Sequence, residues 1–417
     1  MALNDNKVAI VAGVRTPFVK AGTAFSSYTM QQLGEHVLKA LVKKSGVNPS
    51  LIDEFIFSTV LLDPRTPNWA REIVFSAGLP KSLYAQSVSN NCISGLVAIT
   101  SVAEHIRLGL VNVGIAGGSE SMSNPTLIFG KQGTDIFLKL FRARDFKEKL
   151  SLATQLRPSH FFPKPPGVTE PSTGLTMGQH MEITAQELNI AREIQDQIAF
   201  NSHRNAADAQ ARGVFKDEIA PLGGVDKDLL IRADTTIDKL KKLKPVFERS
   251  EKGTITAGNA SALTDGASVV MLMSEQTAAK NNLQPLAFIK DYQYSAIDPN
   301  QGLLMAPVVA ASNLLKRNNL KFSDFDMIEV HEAFAAQVAA NIKGWEQGWK
   351  GTEAIGSFDH SKMNINGGSI AMGHPFAATG GRIVTSMAHE LKRRNAKRGL
   401  ISICAAGAMA GAMIIES

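Results

Sequence analysis

Cysteine is almost missing from this chain: of 417 residues, only Cys92 and Cys404 carry a thiol. Two thiols so far apart make neither a disulfide framework nor a cysteine-rich zinc pattern, and they point to a reducing compartment. Long apolar runs are missing as well. No uncharged stretch reaches the length of a membrane span, and Met1 to Lys7 lacks the apolar core of a signal peptide. The expected location is therefore the cytoplasm or, after processing, an organelle matrix. Aromatics are scarce at 6%, and no sign of charge dominates: the net charge is +6, with Lys and Arg interleaved with Asp and Glu. So modest a basic balance fits nucleic acid, an anionic membrane surface or a polyanionic small molecule, and alone selects none of them.

What is present is an ordinary globular composition, 44% hydrophobic and 20% charged, long enough for two or three domains. Short apolar runs at Val8 to Val14, Glu54 to Leu61 and Val111 to Ala116 alternate with helical periodicity at Met30 to Ser45, Asn68 to Ala77 and about Ile93 to Leu110. Such alternation predicts an α/β fold with a largely parallel sheet. The order then returns. Pro285 to Tyr292 matches Lys7 to Val14, Phe325 to Val330 matches Asp53 to Thr59, and the run from Gly373 to Gly380 opens a helix as Ser89 to Gly95 does. Gly399 to Ile403 enters Cys404-Ala405-Ala406-Gly407 as Val111 to Ala116 enters Gly117-Gly118. The nearly constant offset implies two duplicated α/β halves about a pseudo-twofold, both elbows facing one cleft at the carboxyl ends of the strands. The expected division is 1–123 with 253–283 as the first half, 124–252 as an inserted loop domain, and 284–417 as the second half.

Cys92 is expected at the start of a helix, where backbone N–H groups and the macrodipole favour the nucleophilic thiolate. A nucleophilic cysteine needs a base, and His331 and His374 fall at the same predicted edge. So does Cys404, a second thiol able to carry a proton. Taken singly, each has a structural explanation as a core thiol or a hydrogen-bonded histidine. Together they would place every cysteine of the chain at that edge by accident.

At these residues the chain resembles the thiolase family, and the resemblance covers nearly its whole length. It is carried by Gly13-Val14-Arg15-Thr16-Pro17-Phe18, Asn91-Cys92-Ile93-Ser94-Gly95-Leu96, Gly117 to Met122, Gly253 to Ser261, His331-Glu332-Ala333-Phe334, Gly373-His374-Pro375 and Cys404-Ala405-Ala406-Gly407. The resemblance implies a five-layer αβαβα fold and a 3-ketoacyl-CoA thiolase: Cys92 as nucleophile, His374 as its base, Cys404 as the acid and base toward enolate and CoA. It implies one oxyanion site from the side chains of His374 and His331 and another from the backbone N–H groups of Cys92 and Ala406. CoA and acyl-CoA are then substrates, with no cofactor and no metal. Ser261 matches the residue that holds the pantetheine arm, Met177, Phe247, Ala333 and Phe334 match the tunnel around it, and Arg232 matches a basic residue near the adenosine end.

Two departures qualify the match. Histidine at 331, where many thiolases carry Asn, resembles the degradative β subunit of the fatty-acid oxidation trifunctional complex. Alanine at 405, 406 and 408, where glycine is commoner, raises the question of backbone conformation in the second oxyanion site. The resemblance also implies a homodimer or dimer of dimers, a hydratase/dehydrogenase α subunit as a further partner, and no nucleic acid. In 127–166, Ile136, Phe137, Leu140, Phe141 and Phe146 alternate with Lys139, Arg142, Arg144, Lys147 and Lys149, the pattern of one basic amphipathic helix. Such a helix covers its own lobe or makes weak peripheral contact with an anionic membrane or partner. The rival functions are an acetoacetyl-CoA thiolase working in the condensing direction and an inactive thiolase-like lipid carrier or scaffold.

Overall fold

A computed structural model describes residues 6–164, 166–167 and 169–417. In chain order the first half runs β1 (Val8–Arg15), β2 (Val19–Lys20), α1 (Met30–Ser45), β3 (Glu54–Ser58), α2 (Trp69–Ser76), β4 (Tyr84–Val88), α3 (Ser94–Arg107) and β5 (Val113–Glu120). The middle carries β6 (Ile128–Phe129), α4 (Lys131–Arg142), α5 (Phe146–Ala153), β7 (Pro163–Lys164), α6 (Met177–Glu187), α7 (Arg192–Ala211) and α8 (Ile237–Lys241). Then follow β8 (Thr264–Ser274), α9 (Glu275–Lys280), β9 (Ala287–Ala296), α10 (Ala306–Asn318), β10 (Met327–Val330), α11 (Ala335–Gln347), α12 (Ser369–Met372), α13 (Thr379–Arg394), β11 (Arg398–Ala405) and β12 (Met409–Glu416). Local chemistry sets several ends. Thr29 and Gln32 close a capping box at the start of α1, and Gly46 ends that helix at φ 66°.

One sheet of ten strands joins both halves, in the order β10-β11-β12-β9-β1-β8-β5-β3-β4, with β2 paired to β8. The order reads alike outward from its centre, where β1 and β9 pair antiparallel over three residues. On one side β5, β3 and β4 are parallel; on the other, β11 and β10 are parallel. The counterpart of β4 is reduced to a single parallel bridge between Ile328 and Met363. This is the duplication of the sequence expressed as hydrogen bonding.

Three apolar cores separate the layers. Leu33, Val37 and Leu41 of α1 and Ile73 of α2 pack on one face of the first half-sheet. Leu314 and Leu315 of α10 and Val338 of α11 cover the outer face of the second. Between them, Leu96 and Ile99 of α3 and Ile383 and Val384 of α13 share a core with Val8, Ile56, Ile401 and Met413 from both half-sheets. The result is helix, sheet, helix pair, sheet, helix. Glycine lets the central helices start in contact: a Cβ on Gly95 would lie 2.4 Å from the carbonyl oxygen of Ala377, and one on Gly380 would lie 2.4 Å from the backbone nitrogen of Leu96. No larger residue fits there without moving the backbone. That contact sets the Cys92 elbow beside the His374 loop.

Helices α6 and α7 contribute Met181, Ala185, Ile198 and Ala199 to the core of the second half rather than to one of their own. The basic segment departs from a single amphipathic helix. It breaks into α4 and α5 because Ala143 turns extended and Asp145 caps the second helix, accepting from the Glu148 N–H. Phe137 packs edge-to-face against Phe129 and Phe161, whereas Phe141 and Phe146 are 89% and 78% exposed. Among the described residues no helix is long and apolar enough to cross a membrane.

Candidate active site

Cys92 lies at the turn between β4 and α3, preceded by Asn91 at φ 50°. Asparagine tolerates that left-handed conformation better than most residues, which makes the tight elbow affordable. The thiol is half-buried, and the backbone N–H groups of Ala406 and of Cys92 itself lie close enough to favour its thiolate. Those donors favour the thiolate, but burial outweighs them, and the buried Glu120 carboxylate adds to it, so the Cys92 thiol is pushed up to about 12. The helix terminus therefore does not make a resting thiolate. Loss of hydration dominates, and deprotonation requires a base at the moment of reaction.

Two histidines are buried together, their ring centroids 4.2 Å apart. His331 follows β10, its N–H donating to the Ser402 carbonyl at 2.8 Å, and its Nδ1 lies 2.9 Å from Ser369 Oγ. His374 sits on the loop before α13; its N–H donates to Thr264 Oγ1 at 3.0 Å and its Nδ1 lies 2.6 Å from Thr379 Oγ1. Burial lowers both: His374 to about 3, and His331 well below the ordinary value, with the neighbouring ring and Arg382 adding to the effect. Both are neutral at physiological pH. Their Nε2 atoms are buried without a hydrogen-bond partner among the described residues. Such atoms are costly unless a ligand or a reaction uses them.

Cys404 lies within β11, one residue before its end, rather than on a loop. Its thiol is buried and raised, first by desolvation and then by the proximity of Cys92; the backbone N–H groups of Cys404 and Ala333 oppose the shift. The two sulfurs thus share one electrostatic environment. The β11–β12 turn holds the Ala406 donor, and Asn91 Nδ2 donates to the Ala406 carbonyl at 3.0 Å, tying the two elbows together. Ala406 does not need the left-handed conformation. The positive φ values fall at Gly407, 74°, and Ala408, 55°. The backbone strain lies at Ala408, at roughly 1–2 kcal/mol for a non-glycine residue, two residues past the donor.

The expected CoA-side residues are gathered in part. Ser261 donates its N–H to the Ala333 carbonyl at 2.9 Å, Ala260 bridges Phe334, and Phe247 meets Phe334 edge-to-face with centroids 5.8 Å apart. Met177 is half-buried against the same core, and the next residue, Gly178, has no room for a Cβ beside the Phe247 ring. This cluster adjoins Cys404 through the Ala333 N–H. Arg232 stands apart on an exposed loop, its N–H donating to His203 Nδ1 at 3.2 Å.

Residues that spacing did not single out complete the frame. The Glu120 carboxylate accepts from Thr59, from the N–H groups of Val60 and Leu61 and from Ala377 N–H, binding the loop after β3 to the loop after His374. The Glu332 carboxylate accepts from Ser202 at 2.6 Å, Asn364 at 2.6 Å and the Ile370 N–H at 3.1 Å. Glu170 accepts the Gly407 N–H at 2.9 Å. Glu120 and Glu332 fall inside the Gly117 to Met122 and His331 to Phe334 runs, where an unpaired charge among glycine or apolar residues would be costly, whereas Glu170, among Pro, Ser and Thr, carries no such signal.

The arrangement offers two thiols, two neutral imidazoles and convergent N–H donors, a set suited to acyl transfer. Its resting state is thiol and imidazole rather than an ion pair. Iodoacetamide alkylation of Cys92, read by peptide mass spectrometry, is therefore expected to accelerate steadily from pH 7 to pH 9, because the thiolate fraction of a thiol raised by burial keeps growing over that range. A plateau reached below pH 7 would contradict it.

Comparison with known proteins agrees with this chemistry. Residues 8–276 match the family model "Thiolase, N-terminal domain" and residues 283–417 match "Thiolase, C-terminal domain". The chain is 40% identical over 422 residues to a 3-ketoacyl-CoA thiolase of Shewanella frigidimarina, covering 98% of this chain and 97% of that one. Among solved structures it is similar to acetyl-CoA acetyltransferase of Bacillus anthracis, with a TM-score of 0.87, 33% identity and full coverage of both chains. It is also similar to human mitochondrial 3-ketoacyl-CoA thiolase, with a TM-score of 0.84, 33% identity and 99% of each chain covered.

Proposed function

This chain belongs to the thiolase family, and we propose that it is a 3-ketoacyl-CoA thiolase of fatty-acid degradation, cleaving its substrate with CoA through an acyl-Cys92 intermediate. The observation that carries the reading is the convergence of both thiols of the chain: Asn91, next to Cys92, donates through Nδ2 to the carbonyl of Ala406, two residues past Cys404, at 3.0 Å.

In this reading His374 Nε2 takes the Cys92 proton as sulfur attacks the 3-keto carbon. The new alkoxide is met by N–H donors. Its collapse breaks the bond between C2 and C3, leaving the shortened acyl group on Cys92 and the enolate of acetyl-CoA, which the Cys404 S–H protonates. The Cys404 thiolate then takes the proton of incoming CoA. The CoA thiolate attacks the acyl-Cys92 carbonyl, the shortened acyl-CoA leaves, and His374 returns its proton to Cys92. Each intermediate oxyanion is held by preorganised donors, so the reading uses CoA and acyl-CoA as substrates and no resident cofactor. The half-buried cluster of Met177, Phe247, Ala333 and Phe334 with Ser261 suits a slender pantetheine arm, and exposed Arg232 suits a solvated phosphate. Both thiols must stay reduced, which favours a reducing compartment such as the cytoplasm.

The rival is an acetoacetyl-CoA thiolase in the condensing direction. Incubation with 3-ketoacyl-CoAs of four to sixteen carbons, followed by mass spectrometry of the peptides, separates the two. Acyl adducts on Cys92 and thiolysis are expected to extend to the longer chains; confinement to the four-carbon substrate would favour the rival.

The same reading includes a peripheral contact. Exposed Phe141 and Phe146 lie among exposed Arg142, Arg144, Lys147 and Lys149, a basic and apolar rim suited to an anionic bilayer surface. Co-sedimentation with vesicles rich in anionic phospholipid is expected at low salt and weaker at moderate salt. Absence of binding at both would remove this contact.

A further inference from the structure

The two facing histidines sit in unlike hydrogen-bond settings. Beyond His331 runs a buried chain: Arg382 Nη1 donates to Glu329 Oε1 at 2.5 Å, Arg382 Nη2 donates to Ser369 Oγ at 3.0 Å, and Ser369 Oγ lies 2.9 Å from His331 Nδ1. A guanidinium can only donate, so the serine oxygen accepts at that end. Among the described residues the Ser369 hydroxyl proton has no acceptor other than His331 Nδ1. Serine therefore donates to that nitrogen, which must be bare, and neutral His331 carries its proton on Nε2. Beside His374 the count runs the other way. The Thr379 hydroxyl donates to the Pro375 carbonyl at 3.0 Å, and its oxygen, 2.6 Å from His374 Nδ1, is left to accept. Both contacts form only if His374 is protonated on Nδ1, which leaves its Nε2 lone pair free. The ring centroids lie 4.2 Å apart, and each ring has its Nε2 buried without a partner among the described residues.

We infer that Arg382 and Ser369 are positioning residues that hold His331 as the Nε2–H tautomer, opposite to the Nδ1–H form in which Thr379 holds His374. The neighbouring imidazoles are thereby divided into one hydrogen-bond donor and one base. This rests on the acyl-transfer reading and deepens it. Two identical side chains in one buried pocket need an external device to keep their roles apart, since an imidazole exchanges its tautomers readily. Here the device is the polarity of a hydroxyl, fixed by an arginine on one side and by a carbonyl on the other. His331 is then a ready N–H donor to an oxyanion in the resting enzyme. His374 becomes a donor through Nε2 only after it has taken the Cys92 proton. Glu329 serves the chain by holding the guanidinium that serine faces.

Neutron diffraction from perdeuterated crystals of the full chain reads both tautomers directly. Deuterium is expected on His331 Nε2 and His374 Nδ1, with the other ring nitrogens bare; deuterium on His331 Nδ1 would overturn the inference. Kinetics of Ser369→Ala give a second reading. Loss of the hydroxyl frees the His331 ring from its tautomer and orientation, so kcat for thiolysis is expected to fall at least tenfold while KM for CoA stays within twofold. An unchanged kcat in the folded variant would also overturn it. If Ser369→Ala does not fold, the neutron map decides. The underlying acyl-transfer reading fails separately: a wild-type chain that cleaves no 3-ketoacyl-CoA would sink that reading while the tautomers remain readable.

Discussion

Cys92→Ala is expected to abolish thiolysis, lowering kcat about 10⁶-fold, the scale on which loss of a covalent nucleophile is felt elsewhere. The physical reason is that no other group can take its place. Cys404 is fully buried and its thiol is raised well above the ordinary value by desolvation, whereas the Ala406 N–H favours the thiolate of Cys92. The variant should fold. Cys92 is half-buried at a turn, and removal of its sulfur leaves the Asn91 to Ala406 tie and the Gly95 to Ala377 contact intact. The checks are steady-state thiolysis and intact-mass spectrometry after exposure to a 3-ketoacyl-CoA, with no acyl adduct expected. An adduct that persists in Cys92→Ala would assign the nucleophile elsewhere.

Cys404→Ala should fail at a different point. Attack by the Cys92 sulfur needs His374 and the oxyanion donors, all present, so some covalent labelling of Cys92 by an acyl-CoA should survive. Turnover should not, because the enolate loses its acid and incoming CoA its base. Removal of a positioned acid–base group costs about 10²–10⁴-fold, and here one thiol serves both half-reactions, so the upper part of that range is expected. Pre-steady-state mass spectrometry with acyl-CoA and a parallel turnover assay separate the two effects. Equal loss of acylation and turnover would show that Cys404 supports the geometry of Cys92 rather than moving protons. The buried position of Cys404 in β11 makes alanine a tolerable replacement, losing only the sulfur.

Much of this molecule is legible in its sequence. Alternating strands and helices and the returning order of elements gave the α/β class and the two halves, because periodicity and turn chemistry act over short distances; the sheet, expected to be largely parallel, is mixed, because β1, β8, β9 and β12 pair antiparallel through its centre. The motifs around Cys92, His331, His374 and Cys404 gave the family. The 127–166 segment shows the limit of such reading: its apolar and basic residues have helical spacing, but Asp145 competes as an N-cap and splits the helix in two.

The sequence by itself determined the two-half architecture, the family and the set of candidate site residues. Only the tertiary structure decided their states: burial holds Cys92 as a thiol against its helix terminus, the strain of the β11–β12 turn falls at Ala408 rather than Ala406, and Ser369 and Thr379 set the two histidines in opposite forms. The physical reason is common to all three. Hydration and hydrogen-bond polarity depend on what is packed against a group, and for these groups that is set by burial in the fold and by partners such as Arg382 and Ser369, brought to His331 from another part of the chain.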